Sequence, residues 1–506
     1  MAAKNNLLEW QRYQEIRPFF DQLLASDDLS TPHMSSFWRK NLEQRRNFPT
    51  YNEIVTFRRG LASAIGYSFK INEDVERQAF LRMFGRARAL APLQYLQENR
   101  ESNVGHPYQF YEDGILSSSA GIDNAANAYR IETALQQYHV APSEHRILEI
   151  GAGYGGVAEV LIRRLNPAVY LICDLPHNLF LSAFYLGVIF PARKLHFVNN
   201  EAPETISDSA LIFATPEGLE RIRERFTLVV NTFSFQEMPL AEIRRYFRFI
   251  HDHLADSGLF YFFNHHRVAE GAQKPGDYPF EQFAVRRWGP MPCPQHYLFG
   301  ARQAYEVVMQ PNTGERLPSY FDSVTQTLAL LMFMAVDRNL MDTCDRLVKG
   351  EISDEVLTYL AALREVLSSR QVSGAQAKLS QLHSPAEWEP VTAYVAGLLD
   401  FFRNDMRNAA ENFSRALELG LAGFARTRAL VFLALTTPSS EQRRAYIHQA
   451  IETTPQFQSD LEAGDISLEQ FKLAYQYAFP GLRLQRRLVP RRLRRALAGV
   501  AKRTLP

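Results

Sequence analysis

Residues 145–174, HRILEIGAGYGGVAEVLIRRLNPAVYLICD, hold residue types at the spacing of a ligand site. The apolar run 147–150 reads as a buried parallel strand that ends in a turn carrying Gly151, Gly153, Gly155 and Gly156. A helix-forming run, 157–165, follows, and a second apolar run, 169–173, ends at Asp174. Such a β-α-β unit puts glycines where backbone can approach a ligand closely, at a helix N-terminus that favours electron-rich groups. Asp174 stands where an acid can accept both hydroxyls of a ribose. The pattern predicts a site for a ribose-bearing ligand.

Two cofactor classes use this geometry. Gly151, Gly153 and Gly156 satisfy G-x-G-x-x-G, by itself a weak signal for a nicotinamide or flavin dinucleotide. With Glu149 two residues ahead, the run also reads E-x-G-x-G-x-G, which resembles the first motif of class I S-adenosylmethionine-dependent methyltransferases. A carboxylate there suits a ligand with an ammonium group and would repel a pyrophosphate. Glu149 therefore favours the methyl donor. A Rossmann dinucleotide oxidoreductase stays open as the alternative, and a glycine turn without a ligand is the plainest reading.

The elements that must carry this site follow in order. Residues 175–190 read as a helix, 194–200 as a third strand, and 226–238 as a fourth strand with the loop after it. An amphipathic helix over 241–254 leads to a fifth strand at 258–266. Strands alternating with helices at this spacing imply an α/β fold with a parallel, doubly wound, Rossmann-like sheet.

The stretches EIGAGYGG (149–156), CDLP (173–176), NTFSFQEM (231–238) and FNHH (263–266) together resemble the bacterial sugar O-methyltransferases of surface-polysaccharide gene clusters. The resemblance covers roughly residues 35–310. It implies transfer of a methyl group from S-adenosylmethionine to a sugar hydroxyl. It also implies an extra antiparallel edge strand, for which 304–310 is the candidate. Donor contacts then fall to Glu149, Gly151, Gly153, Gly155 and Asp174, with Asn199 closing the third strand and Asn231 ending the fourth.

Methyl transfer is an in-line displacement, so the chain must align the acceptor oxygen and help remove its proton. Glu237, His265 and His266 are the candidate bases near the ends of strands four and five, with Gln236 and Asn264 as positioning groups. Adjacent histidines at a strand end point to opposite sides, so at most one faces the acceptor. A divalent metal held by Glu237 and a histidine is conceivable, though nothing in the spacing demands it. Each of these residues also has a plainer role, Glu237 as a helix cap and the histidines as hydrogen-bonded strand ends. Trp288, in a proline-stiffened segment read as a loop over 286–297, could stack on a sugar face. Tyr129, Arg130 and the serines at 117–119 precede the first strand and read as lid or substrate contacts, or simply as a connecting loop and surface helix.

A chain of 506 residues implies two or three domains. Its three scattered cysteines, Cys173, Cys293 and Cys344, lack C-x-x-C spacing, which argues against a zinc site or disulfide scaffold and suits a reducing cytoplasm. The N-terminus carries no apolar signal segment and no apolar run is long enough to span a bilayer, so a cytoplasmic location is expected. The net charge of +1 conceals nine positive residues and no acid from 482 to 506, which leaves −8 on the other 481 residues. Such an acidic body argues against broad nucleic-acid binding.

The expected division is a helical cap or lid over 1–140, a methyltransferase domain over 141–317, a helical domain over 318–480 and a basic amphipathic tail over 481–506. Within the helical part, residues 393–417 resemble a tetratricopeptide repeat, with Gly397, Ala409, Phe413 and Ala416 at the close-packing positions. That module could dock a protein partner, mediate a homodimer, or only stabilise the enzyme. A non-catalytic scaffold acting through it is the third function class. The tail suits the anionic inner face of a membrane, or is solvated.

Overall fold

The computed structural model describes residues 2–25, 49–60, 73–140, 145–199, 210–265, 278–291, 304–314, 324, 327–328, 330–331, 340–369 and 371–453. The chain forms two compact units, Met1–Arg286 with Glu306–Arg316, and Arg287–Tyr305 with Leu317–Pro506. The basic tail lies outside the described residues.

A small antiparallel hairpin, β1 (Phe110–Glu112) and β2 (Ile115–Ser117), comes first. Eight strands then share one sheet: β3 (Arg146–Ile150), β4 (Val169–Cys173), β5 (Lys194–Val198), β6 (Ala210–Ala214), β7 (Phe226–Thr232), β8 (Leu254–His265), β9 (Phe283–Met291) and β10 (Ala304–Pro311). Their order is β5-β6-β4-β3-β7-β8-β10-β9. β3 pairs in parallel with both β4 and β7, which makes it the point where the chain reverses its direction across the sheet. The β6–β4, β5–β6 and β7–β8 pairs are parallel as well. Ligands of such sheets bind beyond the strands' carboxyl ends at the reversal. Every residue of β4 and β6 is buried, so these strands read as unbroken apolar runs rather than alternating ones.

Three expectations change. Residues 304–311 lie between β8 and β9 rather than at the edge. The edge belongs to β9, which takes in residues 286–291 of the segment expected as a loop. A strand absent from the sequence reading, β6, stands beside β4 and leaves the expected third strand, β5, at the opposite edge. ALIFA is five apolar residues long, and so short a run carries no period by which to separate strand from helix.

Among the described residues six longer helices belong to this unit: α1 (Ala2–Ala25), α2 (Glu73–Leu90), α3 (Ser119–Gln137), α4 (Gly156–Leu165), α5 (Pro176–Ile189) and α6 (Leu240–His253). α2 stops at Leu90, because Pro92 cannot continue it and instead starts a short helix, Leu93–Glu98. α1 docks on α5, where the Phe20 and Phe180 rings meet edge-on at 5.1 Å and Arg12 Nε donates to the Gly187 carbonyl at 2.9 Å. Ser118 caps α3 by accepting from the Gly121 amide at 3.1 Å.

The second unit is helical over its described residues from 340 onward, with α7 (Leu340–Val348), α8 (Asp354–Ser368), α9 (Val372–Ser380), α10 (Glu389–Phe402), α11 (Met406–Glu418), α12 (Gly423–Thr436) and α13 (Ser440–Thr453). α10 and α11 approach so closely that a methyl group on Gly397 would lie 2.8 Å from the Phe413 ring. Phe413 stacks on Phe432 of α12 at 4.9 Å, and Ala409 and Ala416 are fully buried beside it. Among the described residues no helix is long and apolar enough to cross a membrane.

Candidate functional site

Gly151, Gly153 and Gly155 all adopt positive φ, at +74°, +59° and +89°, a region that costs other residues about 1–2 kcal/mol. The Gly151 amide donates to the Cys173 carbonyl at 2.8 Å, which ties the loop to β4. The Gly153 amide donates to Asp174 Oδ2 at 2.8 Å. The other oxygen, Oδ1, accepts from the Leu175 amide at 2.7 Å and from Asn178 Nδ2 at 2.9 Å. Three of the roughly four acceptor positions of an ionised carboxylate are thereby used within the chain. Asp174 shapes the loop and keeps about one position for a ligand hydroxyl. A methyl group on Gly153 would meet nothing within 4 Å, so this glycine faces open space.

Glu149, one strand in from Asp174, is 1% exposed and accepts from the Tyr170 hydroxyl at 2.6 Å. Burial pushes its carboxyl up to about 7, against the Tyr170 hydrogen bond, and the nearby Asp174 charge adds to the rise. Burial likewise pushes Asp174 up to about 6, opposed by its Asn178, Gly153 and Leu175 hydrogen bonds. Two buried acids near neutrality, beside an open glycine, suit a ligand that brings positive charge and hydroxyl groups.

The end of β7 is built differently. Asn231 and Asn264 are fully buried, and Asn264 Nδ2 donates to Asn231 Oδ1 at 2.8 Å. Asn231 Nδ2 donates to the Ile150 carbonyl at 2.8 Å and to Ser234 Oγ at 2.5 Å. The two amides thus clasp the ends of β3, β7 and β8, where sequence placed them as ligand contacts. Phe233 turns left-handed at φ +58°, held by its amide's 2.7 Å bond to the Phe263 carbonyl and by its ring lying 4.6 Å from that of Phe263. That turn brings Ser234 against the glycine loop, so that a methyl group on Gly151 would fall 2.1 Å from Ser234 Oγ. Gln236 and Glu237, both partly exposed, form the single helical turn that follows. The Gln236 amide approaches Asn264 Oδ1 at 3.4 Å.

Other sequence candidates are dispersed. Arg130 forks onto Glu306 of β10 at 3.2 and 2.7 Å, and Glu306 also accepts from Tyr261 at 2.7 Å. The Tyr129 ring packs on Tyr95 at 4.9 Å. Ser119 Oγ donates to Glu76 at 2.5 Å while Ser118 caps α3, so these serines bind the chain to itself. Trp288 is buried on β9 rather than displayed on a loop. Asn199 follows β5, with β6 between that strand and β4. His265 closes β8, and its side chain, like His266, lies outside the described residues. Among the described residues no group of three or more His, Cys, Asp or Glu is arranged to hold a metal ion.

Several residues that shape the site carry no sequence signal. Arg86 of α2, fully buried, pairs with Asp123 and donates to Asn127 Oδ1 at 3.2 Å on α3, and its guanidinium lies 5.4 Å from the Phe263 ring centre. Asn124 Nδ2 donates to the hydroxyl of Tyr154, inside the glycine loop, at 2.9 Å. Ser234 alone could have been found, since it sits in the NTFSFQEM stretch.

No protein family's sequence profile matches this chain, and no curated protein matches it. Among solved structures it is similar to an S-adenosylmethionine-dependent methyltransferase from Leishmania major, at 14% identity over 49% of this chain and 94% of that one, with a TM-score of 0.27. It is also similar to the magnesium protoporphyrin IX methyltransferase of Synechocystis with bound S-adenosylmethionine, at 10% identity over 38% and 83%, with a TM-score of 0.24. The cyclopropane synthase MmaA2 of Mycobacterium tuberculosis gives 12% identity over 57% and 89%, with a TM-score of 0.25.

Proposed function

We propose that this chain is an S-adenosylmethionine-dependent methyltransferase. The observation that carries the reading is the left-handed glycine loop at the β3 reversal, open at Gly153 and anchored by Asp174, with buried Glu149 one strand away. These residues fit the donor: Glu149 faces its ammonium group, Asp174 offers its remaining acceptor position to a ribose hydroxyl, and Gly153 leaves room for the ligand. A pyrophosphate would meet the Glu149 carboxylate there, which disfavours a dinucleotide. When bound, the donor supplies a methyl group already activated on a sulfonium.

What remains for the protein is to orient the acceptor oxygen and take its proton. In this reading the acceptor is a sugar hydroxyl of a surface glycan or its precursor, an assignment resting on the NTFSFQEM and FNHH stretches. Glu237, His265 or His266 takes the proton, and Gln236 orients the hydroxyl. The helical part from 318 to 480 docks a protein partner or a second copy, and the basic tail from 481 meets an anionic membrane surface on the cytoplasmic side. Calorimetric titration with S-adenosylhomocysteine tests the core of the reading. Saturable binding that Asp174→Ala weakens strongly supports it; no binding to folded protein overturns it.

A further inference from the structure

The glycine loop contains one large side chain, Tyr154, and it points away from the open side of the loop into the N-terminal layer. Its ring meets Tyr185 of α5 edge-on at 5.1 Å and Phe57 at 5.7 Å. The guanidinium of Arg58 lies 5.1 Å from the Tyr154 ring centre and 5.8 Å from that of Tyr185. Only 3% of the Arg58 side chain is exposed. A desolvated cation over aromatic faces is held more strongly than the same contact in water.

Arg58 is itself fixed by polar partners. It forms an ion pair with Glu101, donates to Ser118 Oγ at 2.9 Å and donates to the Ser102 carbonyl at 3.2 Å. Its backbone amide donates to the Gly105 carbonyl at 3.1 Å. Gly105, left-handed at φ +80°, packs so tightly that a methyl group there would fall 2.5 Å from the Phe57 ring. The same strap reaches the helix that follows the loop: the Ser102 amide donates to Glu159 of α4 at 2.9 Å, and Glu159 also accepts from the Tyr185 hydroxyl. Segments 57–58 and 101–105 therefore grip the glycine loop and its helix from behind, and neither reaches the open face at Gly153.

We infer that Arg58 is a positioning residue for the donor site: wedged against Tyr154 and Tyr185 and anchored by Glu101, it holds the glycine loop in its binding shape. The N-terminal strap then works as a strut behind the donor loop, a different role from a lid over the acceptor. The inference rests on the donor reading for its ligand and on the geometry of the strap for its mechanism.

The test uses the full chain and S-adenosylhomocysteine. Arg58→Met with Glu101→Gln removes both members of the buried ion pair together. Tyr154→Leu removes the ring through which Arg58 acts, and Arg58→Lys keeps the cation. Loss of preorganisation should weaken binding about tenfold in the paired variant, and Arg58→Lys should recover part of it. Adding the paired change to Tyr154→Leu should weaken binding no further. Amide hydrogen exchange at 151–156 should speed up in the paired variant while exchange in α11, Met406–Glu418, stays as it was. A lowered melting temperature with unchanged affinity and unchanged exchange at 151–156 would make Arg58 merely structural and overturn the proposal. If the unaltered protein does not bind the probe, the donor reading has failed; the exchange arm then decides the strut alone, and unchanged exchange sinks it too.

Discussion

The loop after β3 and the turn after β7 lie side by side at the carboxyl ends of two paired strands, and both are left-handed, yet they are made of opposite materials. The first reaches positive φ through glycines and leaves Gly153 facing empty space. The second reaches it through Phe233, a bulky residue held by Phe263 and by a closed pair of buried amides, Asn231 and Asn264. One region keeps room for a ligand and two poised acids. The other stores backbone strain of about 1–3 kcal/mol and satisfies its polar groups internally, which fixes where Ser234, Gln236 and Glu237 stand. In the proposed reading the first is the donor site, which needs space and charge, and the second the edge of an acceptor site, which first needs rigidity.

This contrast can be broken at four points. The largest expected effect is on Asp174→Ala, which removes the acceptor for Gly153, Leu175 and Asn178 as well as the ligand's. S-adenosylhomocysteine affinity should fall by about a hundredfold or more by calorimetry, since hydrogen bonds to a charged group are worth about 1.5–3 kcal/mol each. An unchanged affinity would remove the donor role from this loop.

Next come two glycines two residues apart. Gly153→Ala should fold at a cost of about 1–2 kcal/mol in thermal unfolding, the strain of its φ, and still lose donor binding by about tenfold because the methyl occupies the open side. Gly151→Ala should be the more damaging to folding, because its methyl would collide with Ser234 Oγ at 2.1 Å. If the two rank the other way in melting temperature, the open and closed sides of the loop are misassigned.

The third effect is on pH. Glu149 and Asp174 are raised by burial to about 7 and about 6 from ordinary values of 4.5 and 3.8. Both hold their protons more tightly in the folded chain than in the unfolded one. The stability of the ligand-free protein should therefore decline as pH rises from about 4 through 7, the span between unfolded and folded values, and level off above it. A ligand that brings an ammonium group needs Glu149 ionised, so donor binding should tighten from pH 6 to pH 8 by roughly fivefold to tenfold. Glu149→Gln should flatten that dependence; a slope that persists in the variant would assign it elsewhere.

The smallest effect on binding should come from Asn264→Ala. It leaves the Asn231 amide oxygen without its partner and should lower stability by about 1–3 kcal/mol in denaturant melts, while donor affinity stays within about threefold. A collapse of affinity at preserved stability would instead make Asn264 a ligand contact.

How much of this was legible in the sequence follows from the same contrast. The glycine loop is written in consecutive letters: glycines that need positive φ, an acid before them and an acid ending the next strand. The doubly wound sheet was readable too, because buried parallel strands are apolar runs separated by amphipathic helices. The strand ALIFA is hidden because five apolar residues have no measurable period, and in the segment from 286 the prolines outweigh the apolar content that β9 uses. Arg130 and Trp288 carry the residue types of a sugar site, but only Glu306, from a strand some 176 residues away, shows what holds Arg130. Arg86 and Arg58 were invisible for the same reason. Their meaning lies in Asp123, Glu101 and Tyr154, and one sequence contains no trace of which distant residue meets which.

The place of β3 in the sheet bears on how the molecule is made. Its neighbour on one side, β4, is synthesised within the next 23 residues, but its other neighbour, β7, pairs Ile147 with Leu228 across about 80 residues of chain. A nascent polypeptide ending before residue 226 would already contain every glycine and both acids of the loop, with β3 still exposing one unpaired apolar edge. Such an edge is a template for wrong pairing and a reason for slow closure. Refolding should acquire donor binding late, after the first helical signal, and the interval between the two is when the chain is most exposed to aggregation.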